Sequence, residues 1–236
     1  MKSLILSLLA PMLLFIIAIE VEGKVITLFE DDESFIDQLS RQDTPTNIEN
    51  EEKDVFYGKI AIKVSAPQGS VANNVQRYNP NIPGWNYKIV ENPSKEDEAR
   101  WIMFAWKKIG GEGIMIQFPD NGTWGVVTQP CVEPPAPGTR RYIAGKNMTG
   151  WSGICLSDEI PEDWEVVIRD LFADFGSFTM TGIALTPFDN VGLYDSIYLA
   201  WSEAELKELL TSMTPVQPRD KLTTVWGYIK GEFMSR

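Results

Sequence analysis

Residues 164–199, WEVVIRDLFADFGSFTMTGIALTPFDNVGLYDSIYL, constrain the fold more than any other part of the chain. Three alternating runs lie here: Trp164, Val166 and Ile168; then Phe178, Met180, Gly182 and Ala184 against Thr179, Thr181 and Ile183; then Leu193, Asp195, Ile197 and Leu199. Alternation of period two marks a half-buried strand. The gaps hold Asp, Gly, Ser, Pro and Asn, which supply turns. The stretch predicts three strands of an antiparallel sheet.

Further strands are predicted along the chain. The run from Lys24 opens like a strand and ends in the acids Glu30, Asp31, Asp32 and Glu33, leading into an acidic loop as far as Asp54. Ile60, Ile62 and Val64 alternate with Lys59 and Lys63, and one strand fits between Trp85 and Val90. Residues 100–107 are apolar on both faces, which predicts a central strand covered on both sides. Gly110, Gly111 and Gly113 then form a hairpin turn, and Ile114, Ile116 and Phe118 continue the sheet. A short strand is expected over 141–144. At Ser202, with Glu205 three residues on, a capping box opens a short helix carrying Leu206, Leu209 and Leu210. The pattern predicts an all-β, antiparallel β-sandwich with a short C-terminal helix. The expected divisions are 1–23, a signal peptide; 24–54, the first strand and acidic loop; 55–201, the sandwich; and 202–236, a helix and tail.

The signal peptide is read from Lys2, the apolar run from Leu4 to Ile19, and small residues at Val21 and Gly23. It predicts a secreted or periplasmic protein, and no later stretch is long and apolar enough to span a bilayer. A formal net charge of −12 makes a phosphate backbone a poor partner. The pair Cys131 and Cys155 fits a structural disulfide in an exported chain. Asn121 and Asn147 each match the glycosylation pattern.

The chain has no histidine. Ser-His-Asp and Cys-His machinery and His-ligated metal sites are thereby excluded. Proton transfer would fall to carboxylates, tyrosines or lysines, and for a glycosidase the candidate acids are Asp170 and Asp174, between the alternating runs. Arg140, Arg141, Tyr142, Lys146, Asn147 and Trp151 form the densest group of donors and aromatics. An aromatic face beside donors suits a sugar ring, so Trp85, Trp124, Arg140, Tyr142, Asn147 and Trp151 are the candidate ligand residues. The alternative is that Trp151 is core and the arginines pair with the abundant acids.

FAWKKIGGEGIMIQF, RYIAGKN and the stretch from Trp164, ending in YDSIYLA, resemble modules of large exported proteins of planctomycetes and related bacteria. Those modules are similar in turn to galactose-binding-like jelly rolls, the fold of many carbohydrate-binding modules. The resemblance covers about residues 55–201. It implies a structural calcium between the first and last strands, at Glu30, Asp31 and Asp195. Parity gives separate support: Asp195 alternates with Leu193 and Ile197, so it is expected inside, where a carboxylate needs a partner. The expected function is a non-catalytic module for glycan or another surface polymer. The competing readings are an assembly domain docking on an envelope protein through its tail, and a carboxylate-dependent glycoside hydrolase or lyase.

Overall fold

A computed structural model describes residues 23–39, 46–67 and 75–213. Nearly all of the expected signal peptide and the tail after 213 lie outside the described residues. No described helix is long and apolar enough to cross a membrane.

In chain order the elements begin with β1 (Val25–Phe29), α1 (Phe35–Gln38), β2 (Asn47–Glu51), β3 (Ala61–Ser65) and β4 (Arg77–Asn79). There follow β5 (Tyr87–Ile89), β6 (Glu98–Ala99), β7 (Trp101–Ile109), β8 (Gly113–Gln117), β9 (Arg141–Gly145) and β10 (Ile154–Ser157). Last come β11 (Glu165–Asp170), α2 (Leu171–Phe175), β12 (Phe178–Met180), β13 (Ile183–Thr186), β14 (Val191–Ala200) and α3 (Glu203–Ser212).

One sheet runs β11-β7-β14-β3-β2 with β1 also paired to β14, and a second runs β10-β9-β8-β13-β4. A small sheet, β12-β5-β6, closes one end. The pairings are antiparallel except β9 with β10 and β5 with β6. The predicted β-sandwich is therefore what forms. Between the two large sheets lie Ile62, Phe104, Trp106, Ile114, Ile116, Tyr142, Leu185, Tyr194 and Leu199.

As expected, β7 is apolar on both faces: Ile102, Phe104 and Trp106 enter this core, while Met103 turns outward beneath α3. There Leu206 joins Tyr198 and Met103, with Val166 and Ile168 alongside. Ser202 and Glu205 form the predicted capping box of α3.

Three expectations change. The acidic segment contains β2, because Glu49 and Glu51 lie 2.8 and 3.6 Å from Lys63 across the ladder. Opposite charges paired across strands favour a ladder over a solvated loop. The run 178–184 is two strands in two sheets, broken at Gly182, where a Cβ would come within 1.9 Å of the Asn79 carbonyl. Only glycine admits that backbone contact. Finally, β14 carries a bulge between Asp195 and Tyr198, with Ser196 at φ 50°. The extra residue flips the alternation. Leu193 and Asp195 thus lie on the outer face of their sheet, whereas Ile197 enters the sandwich core.

Candidate functional site

The outer face of the five-stranded sheet carries the most chemistry. Period two on β8 and β9 sends Ile116 and Tyr142 into the core and Gln117 and Arg141 out. In register, Tyr78, Ala184, Gln117 and Arg141 form one row across four strands, about 14 Å long. Thr186, Met115, Ile143 and Cys155 form the next row. Gln76 Oε1 accepts from Gln117 Nε2 (3.0 Å) and from the Thr186 hydroxyl (3.3 Å). Trp124 packs edge-on against Tyr78 at 6.0 Å, and the Arg141 guanidinium lies over the Trp151 ring at 5.2 Å. Each end of the polar row is thus closed by a half-buried indole.

Residues 124–138 cross over this face. Arg141 donates to the Gly125 carbonyl and, at 3.0 Å, to that of Ser152. Thr128 bridges to Trp151, and the Cys131–Cys155 disulfide ties the crossing segment to β10. Arg141 and Gln117 are each only 1% exposed. Arg141 Nε and Gln117 Oε1 are buried without a hydrogen-bond partner. Burial, helped by the charge of Arg140, pushes the Arg141 guanidinium down to about 10.

Of the six candidate ligand residues, only Trp124 and Trp151 border the row. Tyr142 is buried in the sandwich core; its hydroxyl donates to Asp174 (2.6 Å), and burial holds its pKa well above the usual tyrosine value. Trp85 packs against Phe35 and Tyr87 on the core side. Arg140 turns to the Phe178 ring (5.1 Å) and to Asp120 (3.7 Å). Asn147 is spent on its own loop, donating to the Trp151 carbonyl at 2.8 Å and accepting from Thr149 and Gly150. Tyr78, Gln76 and Gln117 were not foreseen. The signal for Arg141 was its alternation with Tyr142: two adjacent strand residues cannot share a face.

The acids considered for catalysis are held elsewhere. Asp170 binds Arg100 (2.8 and 2.6 Å) and caps α2 through Ala173, while Asp174 binds Tyr142 and Arg169. An open groove of about 880 Å³ beside the disulfide is lined by Glu112, Asp158, Glu159 and Glu162, with Lys146 already paired to Glu112. It has no aromatic wall.

A second cluster joins β1 to β14. Asp195 is fully buried and accepts from the Phe56 and Tyr57 N–H groups at 2.8 and 3.2 Å. Ser196 Oγ sits 3.3 Å from Asp195 Oδ1 and 3.1 Å from Glu30 Oε2, which also accepts from the Tyr198 hydroxyl. Burial raises Asp195 to about 7 and also raises Glu30. Glu30 Oε1 is buried without a partner. Asp31 stands apart: its carboxylate accepts from the Lys59 and Ile60 N–H groups at 2.6 and 2.9 Å. Among the described residues no three His, Cys, Asp or Glu side chains converge on one point; of the three acids expected at a calcium, Glu30 and Asp195 share Ser196 as a neighbour and Asp31 does not.

No family model matches the chain, and no curated protein does. The resemblance to planctomycete modules therefore has no counterpart among them. Solved structures give a faint likeness. The C-terminal family 22 carbohydrate-binding module of Clostridium thermocellum Xyn10B is 12% identical over 66% of this chain and 80% of that one, with a TM-score of 0.28. The xylan-binding domain CBM22-1 of Paenibacillus barcinonensis Xyn10C is 9% identical over 67% and 83%, with a TM-score of 0.30. Likeness this faint carries nothing about a ligand.

Proposed function

We propose that the chain is an exported, non-catalytic module that binds glycan on the outer face of its five-stranded sheet. The carrying observation is the row that holds Tyr78, Gln117 and Arg141, closed at its two ends by the indoles of Trp124 and Trp151. A sugar offers an apolar face for the half-buried Trp151 ring, and its hydroxyls meet the buried Gln117 and Arg141 where the crossing segment draws back from them. Affinity electrophoresis through gels carrying soluble polysaccharides tests this. Retardation on at least one neutral or acidic polymer is expected, and Trp151→Ala should weaken it about tenfold. Migration unaffected by every polymer would overturn the reading.

Export is supported by the leader-like N-terminus and by the disulfide. We also propose a structural calcium between the first and last strands. Glu30 and Asp195 would hold it; the orphaned Glu30 Oε1 fits a nearby hard cation. Bound calcium supplies the positive charge that lets both carboxyls ionise, and it stabilises the folded state by mass action. Millimolar calcium should raise Tm in the wild type and have no effect on Glu30→Gln or Asp195→Asn. An unchanged wild-type Tm would refute the site.

A further inference from the structure

The floor of the proposed glycan face contains a charge that the fold leaves uncompensated. The Arg141 guanidinium bonds to two carbonyl oxygens and no carboxylate among the described residues, and its Nε has no partner. The neighbouring Gln117 Oε1 has none either. Buried charges are ordinarily paired, because removing an ion from water costs several kcal/mol unless a counter-charge replaces it. Two unpaired polar atoms side by side, one of them on a charged group, leave room for a partner that carries both charge and hydrogen-bonding atoms.

What covers this floor is weakly held. Residues 124–130 turn Val126 and Val127 to solvent, 58% and 38% exposed, and their backbone to the sheet. A segment laid down for stability would bury those valines. Its ties are the Gly125 carbonyl to Arg141, the Ser152 N–H to the Val127 carbonyl (2.7 Å), the Gln129 N–H to the Gly150 carbonyl (3.0 Å), and the edge contact of Trp124 with Tyr78. Few buried apolar contacts and a few backbone bonds describe a segment that opens locally at low cost. The fixed points on either side are the Asp120–Thr123 bridge and the disulfide at Cys131, so this segment can lift without the chain coming loose.

We propose that residues 124–130 are a lid over a subsite for an acidic sugar, in which Arg141 exchanges the Gly125 carbonyl for the carboxylate of a uronic acid. The inference rests on the glycan reading and narrows it. A carboxylate matches the guanidinium fork in geometry and charge, as a sugar hydroxyl does not. Gln117, freed from beneath the lid, faces the ring hydroxyls beside it. The net charge of −12 repels long polyanions, but at physiological ionic strength that field fades within about 8 Å. A single uronic acid unit is therefore governed by Arg141 beneath it.

The test is calorimetric titration with tetragalacturonate, its methyl ester and a neutral tetrasaccharide, joined to hydrogen-exchange mass spectrometry of the same protein. The free acid should bind about tenfold more tightly than its methyl ester. Arg141→Met should abolish that difference, since it removes the group that pairs with the carboxylate. Gly125→Ala places a Cβ 1.7 Å from the Gly138 carbonyl and so forces the lid away; it should tighten binding, because the opening is already made. Amides of 124–130 should exchange faster than those of β8 and β9. Equal affinity for acid and ester, an acid preference that survives Arg141→Met, or a lid as protected as β8 would each overturn the proposal. Binding of neutral sugar with no preference for the acid would sink it and leave the glycan reading standing. No binding of any sugar by wild type and Gly125→Ala would remove both.

Discussion

Lys108 is the residue whose burial has the plainest measurable consequence. Its ammonium is inside the sandwich, donating to the Asp189 and Val191 carbonyls with the Asp189 carboxylate 3.8 Å away, and burial lowers it to about 8. Below pH 8 folded and unfolded chains both carry the proton, so the site contributes no slope. Between pH 8 and about 10 the unfolded chain binds more protons, and stability rises with pH. Above pH 10 the sign reverses, because buried Tyr142 and Tyr194 stay neutral while their unfolded counterparts ionise. Urea denaturation across pH 7 to 11 should show the rise and then the fall, and Lys108→Met should remove only the rise; a flat profile in the wild type would contradict this. Residue-level reading from the sequence went as far as residue type. The cluster from Arg140 to Trp151 drew notice for its donors and rings, but Tyr142 and Arg141 were taken together, although β-strand alternation parts them. Trp85 shows the other limit: an indole in a proline-rich segment reads the same whether it meets solvent or, as here, Phe35 and Tyr87.

At the scale of elements, strand content was legible because alternation is local, and breaks in alternation were not. Nothing in Phe178–Ala184 says that its first half joins one sheet and its second half another; the cause is a backbone contact from a distant segment, at Asn79. Gly182→Ala should therefore cost several degrees of Tm, although alanine has the better intrinsic propensity in most contexts. A Tm unchanged within error would mean that β4 and β13 can part there without loss. Asp195 was expected inside by parity with Leu193 and Ile197. The bulge at Ser196 spoiled that parity, yet the carboxylate is buried all the same, beneath Phe56 and Tyr57. The helix α3 was read correctly from its capping box and leucines, since both signals lie within a few residues of one another.

Across the whole molecule, the two large sheets divide the work. The six-stranded sheet holds the β1–β14 junction and is roofed by α3, whereas the five-stranded sheet holds the polar row and is crossed by 124–138. The disulfide belongs wholly to the second layer. Cys131 and Cys155 are 24 residues apart, so in the chain-entropy account reduction should lower stability by about 3 kcal/mol. Chemical denaturation with and without reductant checks this, and a loss under 1 kcal/mol would mean that the crossing segment is ordered by its own contacts. The fold class was legible at this scale because a sandwich follows from many short alternating runs. The site was not, because it is made of side chains from β4, β8, β9 and two loops that only the sheet order brings together. That same order has a mechanical result. Lys24 and Trp201 are hydrogen-bonded neighbours, with Val25 paired to Ala200 and the register running inward from there. Tension applied at Lys24 and Trp201 would load the β1–β14 bonds singly, from the outermost inward, as a zip fastener opens. The β1–β14 junction should yield at low force from that edge, and the five-stranded sheet would be the last part to feel the pull.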